Sequence, residues 1–301
     1  MRGSSQRNLL SPAGRERRRV RLLRYVSTDG APRPGVLDAA GVPRDLSPVL
    51  PDLAGPGLLP ASLERLADVD TDALPPVPAE ARLLPPVGGV GKIIGVGLNY
   101  RDHAIECGLP LPTEPTLFLK ATSALAGPDD PVAMPRGGRS LDWEVELGVV
   151  IGQEDAYVAE GRALDHVAGY CLAIDFSERE FQFRRGGQGF KGKSADGFGP
   201  LGPWLLTRDA LPDPQGVPLR LEVNGAVRQQ GTTVDMIFPV AALVSYISGF
   251  MSLQPGDVVL TGTPSGVGMG QKPPAYLRPD DEVVAVAGLL GRQAHRVTGP
   301  A

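Results

Sequence analysis

The stretch LDWEVELGVVIG, residues 141–152, carries Asp142, Glu144 and Glu146 at alternate positions and then turns apolar. On a strand, alternate side chains share a face, so the three acids point one way and Trp143, Val145 and Leu147 the other. The apolar face belongs to a core. The acid face must be solvated or must hold a cation, because neighbouring bare carboxylates repel and burial raises that cost. A solvent-facing edge strand satisfies the pattern as well as a cation site does. A further acid, Asp175, ends the apolar run GYCLAID, a position equally suited to a site residue and to a simple turn. Oxygen donors of this kind suit Mg²⁺ or Mn²⁺ before Zn²⁺, since the sequence offers no Cys–His cluster of softer ligands.

Histidine is scarce. His103 lies in NYRDHAIE with Glu106 three residues on, which on one helical turn lets the carboxylate orient and polarise the imidazole. That is a base with its orienting group, and it is equally a surface His–Glu pair. His166 and His295 have no such company and read as structural.

The elements that must position these residues are short. KIIGVGLNY reads as a strand ending at an Asn-Tyr corner, and RDHAIECG as a short helix closed by Gly108. TLFLK, GVVIG, GYCLAID, LRLEVNG and DVVLTGTP are strand candidates separated by turn signals. AALVSYISGFMSL has the helical i, i+3, i+4 apolar spacing, with PGD as its stop. Residues 20–40 look like strands punctuated by DG and RPG. A helix near ASLERLADVD and a Pro-rich linker follow, so that residues 20–86 read as a small N-terminal domain. GGVGK (88–92) and GVGMG (266–270) are not nucleotide loops. The first has Pro86 where a P-loop needs Gly, and the second runs into QKPP, which cannot open a helix.

Bulk composition narrows the class. The chain has 301 residues, 39 Gly and 31 Pro, which favours many turns and short strands. No apolar stretch approaches the ~18 residues of a membrane span. Two cysteines, Cys107 and Cys171, form no framework, and the expectation is a reduced, cytoplasmic protein. The net charge of −4 divides into +5 over residues 1–19 and −9 over the rest. The acidic body argues against nucleic acid as the main partner. Residues 1–19 read as a disordered or non-native extension, with a nucleic-acid or membrane arm as the alternative.

The motifs NYRDHAIE, PTLFLKATSALAGPDD, LDWEVELGVVIG, VAGYCLAIDFSEREFQ, GKSADGFGPLGPWLLT, VNG with a following Gln, and LQPGDVVLTGTPSGVG occur in that order. Together they resemble the fumarylacetoacetate hydrolase superfamily across about residues 90–297. The stretch from Ser177 to Trp204, with the N-terminal part, looks most like the bacterial branch containing 2,4-diketo-3-deoxy-L-fuconate hydrolase, often labelled ureidoglycolate lyase-like. The resemblance implies an α+β, mainly β fold: a mixed β-sandwich roll over residues 87–301 with the small N-terminal domain before it, assembled as a homodimer. It implies that Glu144, Glu146 and Asp175 bind Mg²⁺ or Mn²⁺, while Asp142 is not a usual ligand. Lys193 matches the family's active-site lysine. His103 and Glu106 match the dyad that activates water, on a segment that often closes as a lid. Gly262 and Thr263 match a loop facing substrate oxygens. Gln182 and Gln229 sit where substrate is often touched, and Lys120 supports the site.

The implied reaction is metal-assisted hydrolysis of a C–C bond in a small 2,4-diketo acid, acylpyruvate-type or sugar-derived, giving a 2-keto acid and a carboxylic acid. The same ion could serve decarboxylation, tautomerisation or lyase chemistry on an oxaloacetate-like or ureido substrate. A non-catalytic binding protein on this fold is the third reading. Three positions depart from the family pattern: Ile174 for Asn before the metal aspartate, Gly189 for an aromatic, and Asp280 for Gly.

Overall fold

The computed structural model describes residues 20–300, so the arginine-rich leader expected to be an extension lies outside the described residues. Among those residues, the strands on the main path of an eleven-stranded sheet run in the order Pro43–Asp45, Pro32–Leu37, Arg21–Val26, Gly199–Thr207, Val167–Ile174, Val145–Ile151, Val258–Leu260, Ile93–Gly97 and Thr116–Lys120. A second sheet orders Ala226–Thr232, Pro218–Val223, Glu282–Val286, Arg292–Thr298 and Val132–Ala133. Most pairings are antiparallel, but Val258–Leu260 runs parallel to Ile93–Gly97. The architecture is the mainly β, mixed sandwich expected.

Burial explains the sequence texture. Val145, Leu147 and Leu172 of the large sheet share one core with Leu219, Leu221, Val283 and Ala285 of the second sheet. The other face of the large sheet is covered by the N-terminal segment, where Leu46, Leu53, Leu58 and Leu66 pack on Val150, Cys171, Ala173 and Leu260. A strand buried on both faces reads as a continuous apolar run, which is what GVVIG is. Pro218–Val223, with Leu219, Leu221 and Val223 buried, instead keeps a period of two.

Residues 20–86 join the large sheet directly: Arg21–Val26 pairs with Gly199–Thr207. The boundary expected at residue 86 falls between strands of one sheet. The RPG expected to punctuate a turn lies inside the strand Pro32–Leu37. There Gly35 leaves room for Leu23, whose Cδ1 would lie 2.6 Å from a Cβ.

The expected helix over AALVSYISGFMSL forms as Val240–Ser248 and stops at Gly249, short of the PGD signal. Leu253 is drawn instead into a backbone bridge with Asp155. The short helix is Arg101–Glu106, followed by Gly108 in the left-handed region at φ 66°. Asp280, the departure from Gly, sits at φ 77°, a conformation that Asp tolerates better than most residues.

Candidate active site

The carboxylates come from two adjacent strands. The register pairs Val145 with Ile174 and Glu146 with Ala173, and the Asp175 N–H donates to the Glu144 carbonyl at 2.9 Å. One carboxylate oxygen from each of Glu144, Glu146 and Asp175 therefore lies within 4.8 Å of the others. Glu146 lies on a central strand, flanked by Val167–Ile174 and Val258–Leu260, and all three acids are buried. The edge-strand reading does not hold.

Asp142 leaves that constellation because the chain breaks strand pairing at Trp143 and Glu144. Its Oδ1 accepts from the N–H of Trp143 at 2.8 Å and of Gly268 at 2.6 Å; its Oδ2 accepts from Met269 N–H at 2.9 Å and Arg179 Nε at 2.8 Å.

Three buried cations surround the acids. Lys193 Nζ lies 2.6 Å from both Glu144 Oε2 and Asp175 Oδ2. Lys120 pairs with Asp175 Oδ1. Arg179 donates to Asp142, to Glu144 Oε1 at 2.5 Å and to Gln182 Oε1 at 3.0 Å. Burial alone would raise the Glu144 pKa, but Arg179 and Lys193 outweigh it and hold the group well below the usual carboxylate range. Glu146 is pushed well above that range by burial and by the charges of Asp175 and Glu144; it accepts a hydrogen bond from Gly262 N–H at 2.8 Å. Lys120 is lowered by burial, against the pull of Asp175. Burial also works against the charge on Lys193, but Asp175 and Glu144 raise its pKa overall.

Counting Asp142, four carboxyl groups face three cations, and ionising all four, which the raised pKa of Glu146 resists, leaves an excess of one negative charge in a buried site. An all-oxygen donor set with that excess fits a hard divalent cation. The cation would reverse the excess and so favour an anionic substrate.

The dyad forms as its spacing predicts. His103 is buried, and its Nδ1 lies 2.9 Å from Glu106 Oε2. Burial disfavours the imidazolium, but contact with the Cys107 sulphur and the Glu106 carboxylate, with Glu144 behind, lifts the His103 pKa to about 10. His166 and His295 lie elsewhere: His295 is buried between the Asp130 carbonyl and Gln293.

One segment, Thr261–Gly270, links these parts. Gly262 N–H holds Glu146, and Ser265 Oγ donates to Asp102 at 2.6 Å. Gly266 N–H donates to Glu106 Oε1 at 2.9 Å, and Gly268 and Met269 seat on Asp142. Gly262 adopts φ 93°, and a Cβ there would lie 2.7 Å from Asn99 Cβ, so the close approach needs glycine. GVGMG is the second half of this segment.

A cavity of about 330 Å³ is lined by His103, Glu144, Glu146, Arg179, Gln182 and Lys193 among others, including Gly262 and Thr263. Gln229 is not in its wall. The Gln229 side chain accepts from Val145 N–H at 2.9 Å and donates to Thr263 Oγ1 and the Pro264 carbonyl, each at 2.8 Å. Its amide ties the strand that carries Glu146 to the loop. Thr263 commits its hydroxyl to Val145 O and Gln229, so its contribution to the wall is not a free hydroxyl.

Sequence reasoning missed Arg179. The available signal was SEREFQ, where Arg179 and Gln182 are three apart on the helix Arg179–Arg184 and so share a face. Of the departures, Ile174 packs in the sandwich core and Gly189 lines the cavity.

The sequence profile of the family described as fumarylacetoacetate (FAA) hydrolase C-terminal matches residues 92–298. The chain belongs to the fumarylacetoacetate hydrolase family. A Burkholderia cenocepacia protein, provisionally named a hydrolase, is 54% identical over 278 residues, covering 92% of this chain and 98% of its own. The fumarylacetoacetate hydrolase of Exiguobacterium antarcticum is 36% identical with a TM-score of 0.82, covering 93% of this chain and 99% of that one. Maleylpyruvate hydrolase from Sphingobium sp. SYK-6, solved with manganese(II) and pyruvate, is 30% identical with a TM-score of 0.77, covering 93% and 100%. The family's solved members also include a 5-carboxymethyl-2-hydroxymuconate delta-isomerase from Mycobacterium smegmatis, 33% identical with a TM-score of 0.73, covering 93% and 99%.

Asp142 is a structural anchor on this geometry, and Asp142→Ala is expected to destabilise by about 3–5 kcal/mol, because Arg179 loses a buried partner and three N–H groups lose their acceptor. Asp142→Asn, which keeps one acceptor, should lose less. Urea melts check both. A loss under about 1 kcal/mol in Asp142→Ala would mean that water or a neighbour replaces the carboxylate.

Proposed function

We propose that this protein is a divalent-metal-dependent hydrolase that cleaves a C–C bond in a 2,4-diketo acid of acylpyruvate type, releasing a 2-keto acid and a carboxylic acid. The observation that carries the reading is the convergence of the buried Glu144, Glu146 and Asp175 carboxylates beside a cavity whose wall also holds the His103–Glu106 dyad. Glu144, Glu146 and Asp175 would hold Mg²⁺ or Mn²⁺. The ion would polarise adjacent oxygens of the diketo acid and stabilise the enolate that C–C cleavage leaves.

The chain's own groups supply the rest. Lys193 adds a fixed positive charge beside Glu144 and Asp175. Gln182 turns its oxygen to Arg179, leaving its NH₂ to donate to substrate. Glu106 accepts a hydrogen bond from His103 Nδ1–H, which fixes the tautomer and leaves Nε2 as the basic atom that removes a proton from water. That water attacks the carbonyl remote from the carboxylate, the bond to the enolate carbon breaks, and protonation of that carbon, which balances the proton taken up by His103, releases the 2-keto acid. A pKa near 10 keeps His103 protonated at neutral pH, and the positive charge of a bound cation works against that, toward the neutral base.

The reading takes the enzyme as a cytoplasmic homodimer acting on a small molecule. Consistent with it, both cysteines are free thiols, and no helix among the described residues is long and apolar enough to cross a membrane. The test is a screen with Mg²⁺ or Mn²⁺ over acylpyruvates, sugar-derived diketo acids and oxaloacetate, with products identified by mass spectrometry. Release of pyruvate with a carboxylic acid is expected. Carbon dioxide release or a tautomer as the only product would replace hydrolysis with the alternative chemistry.

A further inference from the structure

The charged side chains of the cavity wall are His103, Glu144, Glu146, Arg179 and Lys193, and salt links join Lys193 and Arg179 to Glu144. The rest of the wall is dominated by Val96, Leu98, Leu109, Phe118, Phe183 and Met269. Leu109 is 53% exposed and Phe183 55% exposed, so two large apolar side chains face solvent at the cavity.

From this wall, and resting on the hydrolase reading above, we infer that the acyl group of the substrate is apolar: a saturated chain of several carbons or an aromatic ring, with neither a second carboxylate nor hydroxyl groups. A second carboxylate finds no spare cation in the wall, where His103 is paired with Glu106. Arg179 is committed to Asp142, Glu144 and Gln182, and Lys193 to Glu144 and Asp175. Desolvating a carboxylate against leucine and phenylalanine without a partner is unfavourable. A polyhydroxylated chain fares little better. Thr263 has its hydroxyl in use, which leaves Thr116 and the Gln182 NH₂ as the uncharged side-chain partners with clear bonding capacity. Space is sufficient: about 330 Å³ holds a diketo-acid head and still leaves room of the order that takes benzene, roughly 150 Å³.

The experiment measures kcat/KM, with Mn²⁺, for acetyl-, butanoyl-, hexanoyl- and benzoylpyruvate, for maleylpyruvate and for a dihydroxylated 2,4-dioxo acid. It also measures binding of 2-oxooctanoate against 2-oxoglutarate to the Mn²⁺-loaded protein. Specificity should rise by about fourfold per methylene from acetyl to hexanoyl. Maleylpyruvate and the dihydroxylated acid should fall at least about tenfold below hexanoylpyruvate, and 2-oxooctanoate should bind more tightly than 2-oxoglutarate. Leu109→Arg, a change at an exposed position, should shift the ratio toward maleylpyruvate, and Phe183→Ser should flatten the chain-length series. Cleavage with a flat series, or with maleylpyruvate preferred, overturns this inference and leaves the hydrolase reading standing. No cleavage of any acylpyruvate, with 2-oxooctanoate still preferred in binding, overturns the hydrolase reading and leaves the apolar site. Equal or tighter binding of 2-oxoglutarate overturns the apolar site by itself.

Discussion

Glu146→Gln is expected to abolish both turnover and the thermal stabilisation expected of Mg²⁺ or Mn²⁺ in the wild type, while the protein in EDTA becomes no less stable at neutral pH. The carboxylate is buried beside Asp175 and Glu144, and repulsion adds to desolvation in raising its pKa. In the chelated protein, ionising Glu146 therefore costs stability. Below its ordinary value both folded and unfolded chains carry the proton. As pH rises from there through the raised value, the unfolded chain ionises first and the wild type loses stability. The glutamine variant lacks that loss and can still accept from Gly262 N–H. The metal-dependent gain behaves in the opposite way. A ligand at one hundred times its Kd stabilises by about 2.7 kcal/mol, and the variant forfeits it. Loss of a metal that contributes several kcal/mol to the transition state slows turnover on the order of a thousandfold or more. Differential scanning calorimetry with and without each ion, at several pH values, reads both effects. A wild type that shows no shift with either ion and stays active in EDTA would falsify the metal assignment.

His103→Ala and Glu106→Ala are each expected to lower hydrolysis by about 10²–10⁴-fold, with the double variant falling little further. The two side chains act as one unit through the Nδ1–Oε2 contact at 2.9 Å, so removing either leaves the other without its task. Glu106 also accepts from Gly266 N–H, so Glu106→Gln is the control that keeps the loop seated while weakening the polarisation of His103. Its activity should fall with the melting temperature nearly unchanged. Multiplying losses in the double variant would mean two independent roles. Full hydrolysis in His103→Ala would remove the imidazole from the chemistry. Decarboxylation that survives in His103→Ala while hydrolysis is lost would favour the alternative reaction, which needs no attacking water.

The legible parts of this site are those set by local geometry. Alternation along a strand places Glu144 and Glu146 on one face, and the three-residue step on a helical turn brings His103 to Glu106. These periods follow from backbone dimensions, so residue order alone shows them. The strand candidates around GVVIG and GYCLAID carried the same kind of signal, since burial on both faces writes a continuous apolar run. The family resemblance added Lys193, which no local period reveals, and favoured a cation over a solvent-facing strand for the acids.

What tertiary structure alone decided are partnerships across long stretches of chain. Arg179 reaches back 35 residues to Glu144, Lys120 forward 55 to Asp175, and Gly262 back 116 to Glu146. Asp142 looked like one more acid on the face of Glu144 and Glu146 until a break in strand pairing turned it toward Gly268 and Met269. Gln229 looked free to touch substrate, yet its amide is consumed between Val145 and Pro264. The strands before residue 86 looked like a separate unit, yet Arg21–Val26 completes a sheet with Gly199–Thr207. Each case turns on sheet register and strand order, which depend on how the whole chain closes on its core. A side chain's type states what it can bond to, and only that closure determines which partner stands within reach.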